Sequence, residues 1–161
     1  MMAKVNKTNV MRLFDLHNIP YRAWQVDDVT GQSVQEQILH EGMEKGQIFK
    51  TLVTVGKSKE HYVFMVPIEA ELDLKKAADS VEEKSIQMIQ QKDLLALTGY
   101  VHGGCSPIGM KREFHTVIDE MACLYKTIIF SAGQVGYSVE MKLSDLQILK
   151  EITIQDLISM N

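Results

Sequence analysis

Residues 48–68, IFKTLVTVGKSKEHYVFMVPI, decide the fold. Two runs rich in β-branched and aromatic residues, IFKTLVTV and HYVFMVPI, flank the polar turn GKSKE, which is the signal of a β-hairpin. Upstream, Thr8 can cap a helix whose apolar stripe (Val10, Leu13, Phe14, Leu16) ends near Asn18-Ile19-Pro20. Residues 21–26 read as a strand. Ser33 can cap a second helix, with Glu36 as its capping-box partner and Gly42 as its stop. Downstream, 72–78 and 91–99 read as short helices, and 84–89, 114–119, 126–132 and 137–141 as strands. Ser144 can cap a helix through Leu149, and the tail 151–160 reads as a strand running into a helical turn. Short strands mixed irregularly with short helices predict an α+β chain: one compact domain over residues 1–161, a mixed sheet with helices around it.

The stretch GYVHGGCSPIGMKR (residues 99–112) carries the chemistry. Its glycines lack the GxGxxG spacing of a dinucleotide-binding turn, and Pro107 keeps it out of a central strand, so it is a loop. Several readings compete. A thiol nucleophile needs a base near Cys105, and His102 lies three residues away, but no catalytic-cysteine signature surrounds the pair. A small, semi-buried thiol is the commoner state of such a residue. Zinc would need His115 and Cys123 beside His102 and Cys105, in a spacing no established site uses. Cys123, in the apolar MACLY, is expected in the core. Ser106 lacks the setting of a nucleophile elbow. A cradle fits the residue types better, because clustered glycines let backbone N–H groups approach an oxyanion or phosphate. Lys50, between apolar Phe49 and Leu52, is the polar group that could complete such a site, or else a solvated strand lysine.

Composition narrows the classes. The chain has 161 residues, 45% apolar and 24% charged, with a net charge of −4. That balance opposes indiscriminate nucleic-acid binding, leaving at most a local basic patch at Lys111-Arg112, with Lys45 and Lys50 as additions. The apolar runs are too short to span a membrane, and the N-terminus MMAKVNKTN lacks the apolar core of a signal peptide. Two cysteines form no disulfide framework. The expectation is a cytoplasmic protein with no membrane partner, no metal and no cofactor.

Three segments, IFKTLVTV, TGYVHGGCSPIG and FSAGQVGYSVEM, resemble in order and spacing the hallmark segments of the YbaK/EbsC family. These are free-standing aminoacyl-tRNA deacylases related to the editing insertion of bacterial prolyl-tRNA synthetase. The likeness extends through LDLKKAA and the N-terminal helix. The resemblance implies a barrel-like mixed sheet in a single editing domain. It implies deacylation of mischarged tRNA, most simply Cys-tRNA(Pro), by an enzyme of the Cys-tRNA(Pro)/Cys-tRNA(Cys) deacylase type, with the substrate's own thiol attacking its ester to leave as a thiolactone. Carried over, Lys50 becomes the essential lysine and Thr51 its pocket neighbour. Gly103, Gly104, Ser106, Pro107 and Gly109 become the loop around the ester and terminal adenosine, and Ser131 and Gly133 the opposing wall. Cys105 falls at a variable position, which favours packing over nucleophilic attack. The implied partners are the acceptor end of aminoacyl-tRNA and prolyl-tRNA synthetase. The chain differs from the family at SAGQVG, where SGGKRG is common, so Ala132, Gln134 and Val135 replace a glycine and two cations. Val26 and Ser33 stand where pocket aromatics are common. The rival readings are a non-catalytic module that binds an aminoacyl or nucleotide end, and a Cys105–His102 hydrolase.

Overall fold

Residues 6–26 and 33–159 are described by the computed structural model. The hairpin forms as expected. β2 (Phe49–Gly56) and β3 (His61–Pro67) pair antiparallel with Lys50 opposite Val66 and Leu52 opposite Phe64. β4 (Ile86–Met88) adds antiparallel to the far end of β2, at Thr54–Gly56. On the other side β5 (His115–Asp119) and β8 (Ile152–Gln155) add parallel, giving the order β4-β2-β3-β5-β8. A second, antiparallel sheet has the order β1-β7-β6, from Arg22–Gln25, Tyr137–Met141 and Ile128–Ser131. Among the described residues a single parallel bridge, Ile48 to Ile129, joins the two sheets.

Strand periodicity explains how the sheets pack. Phe49, Met65 and Ile118 on one sheet meet Phe130, Val139 and Met141 on the other in the main core. The sheets thus wrap one interior in the barrel-like manner expected, without closing into a barrel. The opposite faces are covered too: Phe64, Val66 and Val117 pack on Ala77 and Ala78 of α3 (Leu74–Ser80), and Trp24, Ile48 and Ile129 on Ile38 of α2 (Val34–His40). Being covered on both faces is why β3 is a continuous apolar run rather than an alternating one.

The helices obey their local signals. Thr8 Oγ1 accepts from Met11 N–H to start α1 (Asn9–Leu16), and Ser33 Oγ accepts from Glu36 N–H to start α2. Gly42, at φ +94°, ends α2: its N–H reaches the Leu39 carbonyl while Met43 N–H reaches that of Ile38. Asn18, at φ +55°, closes α1 the same way through Ile19 N–H and the Phe14 carbonyl. The short helix α4 (Leu94–Thr98) ends at Gly99.

Four expectations are corrected. Leu16 is exposed at the end of α1, and Met11 takes its place in the buried stripe. Ser144 lies inside α5 (Leu143–Leu149), which follows Lys142 without a side-chain cap. Among the described residues the tail after β8 makes no helical turn: Asp119 Oδ1 accepts from Leu157 N–H, and Ile158 bridges to Leu72. Cys123 is exposed on the short 3-10 turn Glu120–Leu124, where Ala122 is the side chain that turns inward.

Candidate functional site

The seam between the sheets makes the site. Beyond the Ile48–Ile129 bridge no ladder continues between β2 and β6 among the described residues, while β4 reaches β2 only at Thr54–Gly56. The Lys50–Leu52 edge therefore faces an opening, and a cavity of about 210 Å³ occupies it. Its floor is buried: Phe49, Phe130, Cys105 and Ser138. Its mouth is marked by the exposed lining residues Gln35, His102 and Gly103.

The cavity gathers Lys50, Thr51, Gly103 and Ser131 out of the residues singled out in the sequence. Lys50 is half-buried and makes no ion pair among the described residues, whereas Lys45 is paired with Glu69 at 3.0 Å. The Thr51 hydroxyl is buried and has no hydrogen-bond partner among them. Ser131 Oγ accepts from Gly133 N–H at 3.2 Å, which turns the chain at the end of β6.

Gly104, Ser106, Pro107, Gly109 and Gly133 lie outside the cavity lining. The first four belong to the loop between α4 and β5, and Gly133 to the turn between β6 and β7. Ser106 is fully buried, with its hydroxyl accepting from Ile108 N–H at 3.4 Å. Tyr100 is the post around which the loop winds: its hydroxyl donates to the Ile108 carbonyl at 2.5 Å. A Cβ on Gly109 would stand 2.7 Å from that hydroxyl, and one on Gly133 would stand 3.0 Å from the ring. Both glycines have positive φ as well, at +79° and +98°, so their small size and their conformation are required by the wall rather than by a ligand. Gly104 packs on the neighbouring loop, where an added Cβ would sit 3.0 Å from Val135 N.

Two backbone donors remain. Gly104 N–H is committed to the Val101 carbonyl, but those of Gly103 and Cys105, both lining the cavity, have no protein partner among the described residues. Together with Lys50 they offer donors to an oxyanion formed in the cavity.

The Cys105 thiol is poorly suited to attack. Burial pushes it up to about 12, against the opposing hydrogen bond of Thr98, leaving on the order of one thiolate in 10⁵ at neutral pH. It packs with Val53, Val63 and Phe114. Burial likewise holds the Tyr100 phenol at about 12. The zinc candidates are not gathered, since no group of three His, Cys, Asp or Glu among the described residues could hold a metal ion. No helix among them is long and apolar enough to cross a membrane.

Sequence reasoning missed Ser138, Tyr137, Val34, Gln35 and Leu94 as lining residues. Ser138 was within reach: it is the cross-strand partner of Ser131 across the AGQVG turn. The walls from α2 and α4 depend on tertiary packing and leave no local signal.

Comparison with known proteins places the chain in a family. The aminoacyl-tRNA editing domain profile matches residues 30–149. An Enterococcus faecalis protein provisionally named Cys-tRNA(Pro)/Cys-tRNA(Cys) deacylase EbsC is 48% identical over 139 residues, covering 84% of this chain and 83% of its own. Among solved structures, a scaffold used for computational epitope grafting superposes with TM-score 0.82 at 24% identity, covering 94% of this chain and 96% of its own. A protein provisionally described as a trans-editing enzyme for prolyl tRNA synthetase does so with TM-score 0.80 at 24% identity, covering 97% and 100%. The profile spans most of the chain, the relative is 48% identical over the 139 aligned residues, and the fold is common to both structures: the chain belongs to the aminoacyl-tRNA editing domain family.

Proposed function

We propose that this protein is a trans-editing deacylase that removes cysteine from Cys-tRNA(Pro) and Cys-tRNA(Cys), the activity for which its Enterococcus relative is named. The observation that carries the reading is the cavity in the sheet seam, with Lys50 on one side and the N–H groups of Gly103 and Cys105 on the other, none of them paired among the described residues. Thr51 and Ser131 help seat the aminoacyl group. Gly104, Ser106, Pro107 and Gly109 shape the loop after α4, and Gly133 the turn between β6 and β7.

The chemistry needs no enzyme nucleophile. The substrate's cysteine sulfur attacks its own ester carbonyl carbon and a C–S bond forms. The ester C–O bond then breaks, and the thiol proton ends on the departing ribose oxygen. Cysteine leaves as a thiolactone and tRNA is released. The protein contributes orientation and stabilisation of the oxyanion, with Lys50 as its charged donor. A second site is useful here because small side chains differ too little for one synthetic pocket to separate them.

The whole chain 1–161 acts as one editing domain in this reading: α1 lies outside the matched residues, yet Val10, Met11 and Phe14 fill the shared core. Its partners are the acceptor end of aminoacyl-tRNA and, as the source of mischarged tRNA, prolyl-tRNA synthetase. The test is release of labelled cysteine from Cys-tRNA(Pro), with Ser-tRNA as control. Cysteine should leave much faster than serine, because a hydroxyl is the poorer nucleophile near neutral pH. Tight tRNA binding without release would instead establish a binding module.

A further inference from the structure

A row of polar side chains crosses the floor of the cavity. The parallel bridge between Ile48 and Ile129 sets β2 and β6 in register, so Lys50 stands level with Ser131 across the open seam. Ser131 lies directly opposite Ser138 in the β6–β7 ladder, and Ser138 opposite Trp24 of β1. Alternation puts Lys50, Ser131 and Ser138 on the same face as Ile48, Ile129 and Trp24, the face that packs on Ile38 of α2. All three polar residues line the cavity, together with Val34 and Gln35 of α2.

Ser138 is the deep end of the row. It is only 6% exposed, and its hydroxyl makes no hydrogen bond among the described residues, whereas the Ser131 oxygen accepts from Gly133 N–H. A buried hydroxyl without a partner is unfavourable, so one that lines a cavity points to a group brought by the ligand. The chemistry of a cysteinyl ester identifies that group. Its carbonyl oxygen meets Lys50 and the N–H groups of Gly103 and Cys105, its thiol folds back onto the carbonyl carbon, and its ribose leads out through the mouth. The α-amino group is the polar group still without a contact. A serine hydroxyl suits it, accepting from an amine N–H and able to donate to a neutral amine nitrogen. No Asp or Glu lines the cavity among the described residues, which leaves hydroxyls as the acceptors on this floor.

We infer that Ser138, with Ser131 beside it, holds the α-amino group of the aminoacyl ester and thereby turns the cysteine thiol onto its own carbonyl. The inference rests on the deacylase reading. It makes Ser138 the residue that selects acyl groups bearing an α-amine over those without one.

The test pairs Cys-tRNA(Pro) with the same tRNA acylated by 3-mercaptopropionate, which keeps the thiol and lacks the amine. Ser138→Ala should lower kcat/KM on the cysteinyl ester about ten-fold and leave that on the mercaptopropionyl ester at its wild-type value. The amine's own effect on ester reactivity is common to both proteins and drops out of the comparison. Equal losses on the two esters, or no loss on the cysteinyl ester, would overturn the anchor and leave the deacylase reading intact. A binding arm uses calorimetry on the whole protein with two stable amides of 3′-amino-3′-deoxyadenosine, the cysteinyl and the mercaptopropionyl. Wild type should bind the cysteinyl amide about ten-fold more tightly, and Ser138→Ala should remove the difference. Indifference of the wild type to the amine would overturn the anchor. Amine-dependent binding that needs Ser138, without cleavage of either ester, would uphold the anchor and overturn the deacylase reading.

Discussion

The Cys105 thiol faces the cavity, but burial pushes it up to about 12, so it stays protonated at any pH the substrate ester survives. Cys105→Ala should accordingly keep most deacylase activity in the same cysteine-release assay. Alkylation of the wild-type thiol should be slow near neutral pH and accelerate as pH rises. Rapid alkylation with loss of activity would show a thiolate the structure does not support. Gly104 is the opposite case, a residue with no chemistry and no tolerance. A valine there would drive its side chain into the Gln134–Val135 backbone, at a cost of about 1–3 kcal/mol. Gly104→Val should lower both Tm and turnover. At this scale the sequence was informative about which residues matter and less so about why. The glycines of GGCSPIG read as a cradle, yet Gly109 is small because Tyr100 stands beside it. That packing partner lies across a turn whose path no local pattern fixes.

Among the elements, the β2–β3 hairpin has a lock that its own sequence does not contain. Glu83, beyond α3, accepts from Ser58 N–H at 3.1 Å, from the Ser58 hydroxyl, and from the Tyr62 hydroxyl at 2.6 Å. The Ser58 hydrogen bond, with that of Tyr62, holds the Glu83 carboxyl below its ordinary 4.5. A lowered folded-state value means the stabilisation is complete above pH 4.5 and is lost as pH falls through the folded value. Thermal melts of wild type should therefore drop on acidification, and Glu83→Gln should start lower and drop less. An identical pH profile in the two proteins would contradict the lock. Capping is simpler. Ser33→Ala removes the N-cap of α2 and should cost about 1 kcal/mol. Caps of this kind were readable because donor and acceptor lie three residues apart. Ser144 misled for the same local reason: an attractive cap residue sits one position inside the helix that Lys142 begins.

The whole molecule is organised by pairings between distant segments. Strand identities were readable from composition, but the parallel placement of β3, β5 and β8 was not, and neither was the single bridge that leaves the seam open. Such contacts depend on loop closure and on cores filled from several elements, which a local pattern does not encode. Charge acts at this scale as well. With a net charge of −4 and no lysine or arginine at residues 101–104 or 134–137, the salt dependence of kcat/KM on tRNA should be shallow, equivalent to roughly two or three phosphate contacts. A steep slope would reveal a cationic surface elsewhere. The central claim is that one lysine at an open sheet seam supplies the charge for a substrate-assisted reaction. It is tested most directly by single-turnover release of cysteine from Cys-tRNA(Pro) by wild type and Lys50→Ala, with folding of the variant checked by its melt. The account predicts a rate loss on the order of 10²–10³ in a folded variant. Release at a near-wild-type rate by folded Lys50→Ala would contradict it.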